Sequence, residues 1–210
     1  MTSFITINDV CSLGTVCLSS QLCIDLKLKL YSSPFDWIFS NPKNIIHILK
    51  DDFSSFLDKD QYVPITPTSC GHKLYGLNIF NHHNPKDSLE NYDYFTRCID
   101  RFRKLLSSNI NKLFIISYIN ESISNFNKII DEVCELNEYL KTRTVNFYLF
   151  VIISIQDNIR CHDITLHDNI RFLLLFTISK SNGGLFYDEN DNIYLQNILL
   201  NNYLFQITDI

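Results

Sequence analysis

The chain has 210 residues, 18 basic against 23 acidic, a net charge of −5, and 46% hydrophobic and 13% aromatic residues. Such a chain can bury one good core as a single domain, and its five Gly and five Pro are too few for a linker-rich or low-complexity protein. The acidic balance gives no electrostatic case for nucleic acid or an anionic membrane. The runs Val145–Ile155 and Phe172–Ile178 fall short of the roughly 20 apolar residues a membrane-spanning helix needs. Residues 1–10 lack a basic segment followed by an apolar one, so no signal peptide is expected and a cytosolic location is. Seven cysteines, an odd number with no C-x-x-C pair, read as reduced thiols rather than as a disulfide framework or a zinc ribbon.

In chain order, Phe4–Val10 alternates and is β-branched, which predicts a strand running into the glycine turn Cys11-Ser12-Leu13-Gly14. A helix is expected from Thr15, with Val16, Leu18, Leu22 and Cys23 inward. Ile24–Leu30 alternates strictly and favours a strand, so that boundary stays open. Tyr31–Trp37 reads as a loop, with Pro34 biasing Ser33 to an extended conformation. Asn41-Pro42 opens a short helix over Lys43–Lys50, followed by one or two turns over Asp51–Leu57, and 58–71 reads as surface loop. Strands are predicted over Tyr75–Phe80, Leu113–Tyr118, Phe147–Ile155 and Arg171–Ser179. Amphipathic helices are predicted over Ser88–Leu106 and Ile123–Leu140, where apolar side chains recur every three or four residues. A last helix over Asn190–Asn201 and a last strand over Tyr203–Ile207 complete the reading. Wholly apolar strands separated by helices predict a single α/β domain, a mostly parallel sheet with helices on both faces.

Three constellations could carry chemistry. In Ser12-Leu-Gly14-Thr-Val-Cys17 a glycine turn places Cys17 in the first turn of a helix. Unpaired backbone N–H groups there lower a thiol's pKa and can hold an oxyanion, and a thiolate poised by a histidine is expected to react with electrophiles at pH 6, where ordinary thiols are mostly protonated. The plainer reading is a small residue packing the turn. In Pro34-Phe35-Asp36-Trp37 the sole tryptophan is expected to be largely buried. Asp36 either closes its own loop or orients a histidine, as the acid of a nucleophile–base–acid set does. The pair His82-His83 follows a predicted strand end. Carboxyl ends of strands gather at one edge of an open α/β sheet, so Cys17 and one of these histidines could meet there. Neighbouring residues point to opposite sides, so at most one of the two faces the thiol. Cys70-Gly71-His72 and Cys161-His162…His167-Asp168 lack a four-ligand zinc spacing and read as solvated loop. The acidic stretch around Asp188 and Asp191 lacks the register of a calcium loop. With neither a P-loop nor a G-x-G-x-x-G motif, no cofactor is expected.

Ser12–Cys17, Pro34–Ile38, Asp51–Phe53, Phe80–His83 and Arg97–Phe102 leading into Leu113–Ile116 together resemble an uncharacterised papain-like cysteine peptidase family of bacteria and large DNA viruses. The resemblance implies a Cys/His hydrolase acting on a peptide or other acyl substrate. Cys17 would be the nucleophile, His82 or His83 the base, and Asp36 or Asp191 the orienting acid. It also implies a helix packed on an antiparallel barrel, whereas the strand–helix alternation predicts a parallel sheet. The alternative functions are a non-catalytic small-ligand module in the same crevice and a host-interaction protein of a virus. The scarcity of Ala beside abundant Ile, Asn and Lys suits an AT-rich genome.

Overall fold

The computed structural model describes residues 5–207. In chain order the elements are β1 (Ile5–Ile7), β2 (Asp9–Ser12), α1 (Leu18–Asp25), α2 (Pro42–Lys50), β3 (Tyr62–Thr66), β4 (Ser69–His72), β5 (Gly76–Phe80), α3 (Leu89–Ser107), β6 (Lys112–Tyr118), α4 (Phe126–Lys141), β7 (Phe147–Gln156), β8 (Cys161–His167), β9 (Ile170–Thr177), α5 (Glu189–Asn202) and β10 (Tyr203–Phe205). The main sheet runs β2-β6-β7-β9-β8 and is parallel except for β8, which is antiparallel to β9. This is the mostly parallel sheet that the apolar strands predict, not an antiparallel barrel.

Alternate residues of the central strands enter two separate cores. Cys11 and Leu13 of the first strand region, Phe114 and Ile116 of β6, and Leu149, Val151 and Ile153 of β7 pack with side chains of α2, α3 and α4. Leu113, Ile115, Phe150 and Ile152 pack instead with Leu18, Leu22 and Cys23 of α1 and with Leu195, Ile198 and Leu199 of α5. A strand buried on both sides has no polar face, hence the continuous apolar runs in β6 and β7.

The helices start where their caps predict. Asn41 accepts from the Asn44 N–H ahead of Pro42, Ser88 from the Asn91 N–H, and Asp188 from the Asn190 N–H. On α3 the inward residues Phe95, Ile99, Phe102 and Leu106 fall on the expected stripe.

Five expectations are corrected. The segment Tyr75–Phe80 gives β5, but β5 lies outside the main sheet, in a separate antiparallel sheet of order β3-β4-β5. The segment 58–71 is not simply surface loop, because it supplies β3 and β4, and Ser69–His72 is buried. Pro64 in β3 and Gly71 in β4 read as loop residues, and the strands exist because their neighbours pair with them. At Gly71 any Cβ would lie 2.7 Å from the Leu77 Cα, so only glycine allows this approach. The Cys161–His167 stretch is an edge strand rather than a solvated loop. The alternation in Ile24–Leu30 forms no strand: α1 runs to Asp25, and Lys27 takes a left-handed φ of 56° that ends it. The strand expected over Phe4–Val10 splits at Asn8, Ile5–Ile7 pairing with β10 and Asp9–Ser12 with β6; Phe4 lies outside the described residues.

At the amino edge of the sheet, Lys112 is fully buried and donates to the carbonyls of Ser108, Ile110 and Val145 at 2.9, 3.1 and 2.8 Å. Burial pushes its ammonium pKa down. Replacing it strips three carbonyls of a charged donor, so Lys112→Met should lower the urea unfolding free energy by about 2–4 kcal/mol.

Candidate active site

The site begins at the carboxyl end of β2. Gly14 (φ 80°) and Thr15 (φ 73°) follow one another in the left-handed region and reverse the chain into α1. A β-branched residue rarely adopts that conformation, and Thr15 is held in it from both ends. Its N–H donates to the Ser40 Oγ at 3.3 Å, and its Oγ1 donates to the Ser117 carbonyl of β6. The Gly14 N–H donates to Ser12 Oγ, which shares a 2.7 Å hydrogen bond with Ser19 Oγ of α1. Cys17 is therefore fixed at the N-cap of α1, where no side chain caps the helix.

The loop of residues 33–40 is clamped against this turn. A Cβ on Gly14 would meet the Phe35 carbonyl oxygen at 2.8 Å. Phe35 is anchored by ring contacts to Phe53 and Phe102, at 5.8 and 5.5 Å between centroids. Asp36 is buried, accepts from the Ser33 N–H at 2.7 Å and ion-pairs with Lys29 at 2.7 Å. Burial pushes its carboxyl up despite the opposing Lys29. Of its two expected roles, Asp36 takes the loop-closing one and makes no hydrogen bond to a histidine. Trp37 is partly buried. Its ring stands edge-on to His82, 6.3 Å between centroids at 84°, and the Lys29 ammonium lies 5.4 Å from its centre.

The second contributor is the chain leaving β5. Phe80 packs between Phe56 and Phe95, at 5.1 and 5.0 Å, and so fixes where the next residues emerge. The two histidines then diverge. His82 is exposed and brings its Nε2 to 3.6 Å from the Cys17 Sγ. His83 turns the other way and stacks on Tyr94 at 4.9 Å and 11°. Burial lowers its pKa, with His82 adding to the shift, and its Nδ1 is buried with no partner. The thiol thus meets one imidazole, as opposite-pointing neighbours require.

Burial pushes the Cys17 thiol up, opposite to the lowering expected at a helix end.

Asp191 is also placed elsewhere. It is buried in the first turn of α5, beyond the carboxyl end of β9, three strand spacings from β2, or about 14 Å. It accepts from Arg160 Nε at 2.7 Å, from the Ser179 N–H and Oγ at 2.9 Å each, and from the Ile178 N–H at 3.3 Å. Although burial opposes them, these donors hold its carboxyl below the usual range. It staples the 178–188 loop to α5.

Sequence reasoning missed Lys29, read as the polar side of an alternating strand, and also missed Thr15 and Ser40. No local pattern marks any of the three, since each acts across seven or more positions of chain. Among the described residues no group of three or more His, Cys, Asp or Glu is arranged to hold a metal ion, and no helix is long and apolar enough to cross a membrane.

What stands at the sheet edge is the arrangement of an α/β protein with a thiol and an imidazole in hydrogen-bond reach. Residues 8–75, about a third of the chain, match the sequence profile of a family described as "putative papain-like cysteine peptidase". The match takes in Cys17 and Asp36 and stops before His82. No curated protein and no solved structure matches the chain.

Two outcomes follow from this geometry. Gly14→Ala meets both a left-handed φ and a backbone oxygen that cannot withdraw, so it should lower the unfolding free energy by about 2 kcal/mol or more, read as a lower urea midpoint. Asp191→Asn should lower stability at pH 7, because it removes the buried charge that the Ser179 and Ile178 donors face and leaves Arg160 paired with Asp188 alone. The carboxyl of Asp191 is depressed in the folded state, so its stabilisation is present above the unfolded value of 3.8 and is lost as pH falls through the folded one. Denaturation curves of the variant should accordingly fall less steeply below about pH 4 than those of the parent.

Proposed function

We propose that the protein is a cysteine-dependent hydrolase in which Cys17 is the nucleophile and His82 the general base, acting on a peptide or another acyl compound. The observation that carries this reading is the 3.6 Å approach of the Cys17 sulfur to His82 Nε2 between two separately built parts of the chain. The match of residues 8–75 to a family described as peptidases supports it.

The Sγ–Nε2 approach suits attack coupled to proton transfer, and burial, which pushes the Cys17 thiol up, supports that variant. The resting sulfur carries its proton, so attack and proton transfer are coupled: as sulfur bonds to the carbonyl carbon, its proton passes to Nε2. The carbonyl becomes an oxyanion facing the first turn of α1. Collapse breaks the bond to the leaving group, which takes the proton back from the imidazolium, and water then releases the thioester by the same route in reverse. In place of an orienting carboxylate, the Trp37 ring packs against His82. All seven cysteines are free thiols, which suits a reducing compartment such as the cytoplasm. We further read the chain as one α/β domain whose sheet is covered by α1 and α5 on one face and by α2, α3 and α4 on the other.

Reaction with p-nitrophenyl acetate tests the proposal in a Cys161→Ser background, which removes the exposed thiol. A stoichiometric burst of nitrophenol with one acetyl group on Cys17 is expected, absent in Cys17→Ala and slowed on the order of 100-fold or more in His82→Ala. Labelling with iodoacetamide should rise with alkaline pH rather than persist at pH 6, since the thiol is pushed up. Acetylation of Cys134 with Cys17 untouched, or equal bursts with and without His82, would refute the assignment.

A further inference from the structure

We propose that β8 is a self-pairing edge through which two copies of this chain join their sheets, with the two-fold axis passing at Thr165. The proposal is independent of the hydrolase reading, because β8 lies at the end of the main sheet opposite β2.

The strand is bonded on one side only. Its partner is β9, in an unbroken register from Cys161↔Phe176 to His167↔Ile170, and every residue is exposed except half-buried Ile164. The two-residue loop Asp168–Asn169 closes on a hydrogen-bonded pair, so His167, Thr165 and Asp163 bond to β9. The Asn169 carbonyl accepts from the Leu149 N–H of β7, which agrees with that alternation. Leu166, Ile164 and His162 therefore direct their N–H and C=O groups outward, and none of these has a backbone partner among the described residues.

Monomeric proteins blunt such an edge with Lys, Pro, a bulge or a covering loop. Cys161-His-Asp-Ile-Thr-Leu-His167 has no Lys, Arg or Pro, its register has no bulge, and Leu166 is 66% exposed. The sequence of the strand also complements itself when read in the opposite direction. With the axis at Thr165, Ile164 faces Leu166 of the second copy in a hydrogen-bonded pair, which the outward groups of both residues satisfy. Asp163 then faces His167 in the closer, non-hydrogen-bonded pair, twice by symmetry, which sets opposite charges side by side when the imidazole is protonated. Moving the axis to Ile164 would set Asp163 against Thr165 and leave both charged positions without their complement. The charge pattern therefore selects the first register, and the product is one continuous sheet across two copies. A single strand pair makes a small interface, below the roughly 1,200 Å² of standard specific complexes, so the association should be concentration-dependent.

Cysteine cross-linking in the Cys161→Ser full-length chain tests both pairing and register. A residue on the axis of a non-hydrogen-bonded pair lies about 4.5 Å from its copy, Cα to Cα, within reach of a disulfide. Thr165→Cys should therefore give a reducible covalent dimer under oxidised glutathione, at least tenfold faster than Ile164→Cys. Adding Leu166→Pro removes an outward N–H that an edge strand does not need, and should abolish the cross-link with unchanged circular dichroism. Should that variant fail to fold, Asp163→Lys, a surface change that opposes His167, takes its place and should slow cross-linking severalfold. Cross-linking of Ile164→Cys as fast as Thr165→Cys overturns the register. A Thr165→Cys chain that stays monomeric overturns the proposal and leaves the edge to an extended segment of some other protein.

Discussion

The contact on which the site depends is the approach of the Phe35 carbonyl to Gly14, a packing that leaves no room for a Cβ. Cys17 is placed by the turn that Gly14 and Thr15 make, and Trp37 by the loop that Phe35 anchors. If that loop stood one methyl group farther out, the Trp37 ring would lose its hold beside His82. The buried Lys29–Asp36 pair and the Phe35–Phe53–Phe102 contacts keep the loop from yielding. Close-packed interiors transmit such a displacement rather than absorb it.

The thiol and the imidazole come from parts of the chain with different logic. Cys17 belongs to a parallel sheet edge, where strand ends and helix starts gather. His82 leaves a small antiparallel sheet that adheres to α3 through Phe80, Phe56 and Phe95. The aromatic cluster is thus a structural part of the site, because it sets the exit of the chain that carries the imidazole. Burial of the sulfur pushes the thiol up, so the same packing that places Cys17 beside His82 also favours its protonated form.

The two acids considered as orienting groups illustrate how burial and charge are resolved elsewhere in the chain. Asp36 meets Lys29 within its own loop, and Asp191 is surrounded by Arg160 and the donors of Ser179 and Ile178. Each carboxylate is matched by the donors nearest in space, and a buried charge left for a distant histidine would have been costly. Both residues therefore act in holding loops, at opposite ends of the carboxyl edge.

Much of this was legible in the sequence. The apolar runs of β6, β7 and β9 declared strands buried on both sides, and the three- and four-residue spacing of Phe95, Ile99, Phe102 and Leu106 declared α3. The glycine before Cys17 and the strand end before His82 marked both residues, but what brings them together is the packing of the separate β3-β4-β5 sheet and not a shared edge of parallel strands. Periodicity and turn chemistry are properties of consecutive residues, and consecutive residues are what a sequence records. Tertiary structure alone decided the rest: β5 in its own antiparallel sheet, β8 as an open edge, His82 rather than His83 toward the sulfur, Lys29 as the partner of Asp36, and a thiol raised by burial. Each of these depends on which surfaces meet across tens of residues and on how much water they exclude, and neither quantity is written in local order.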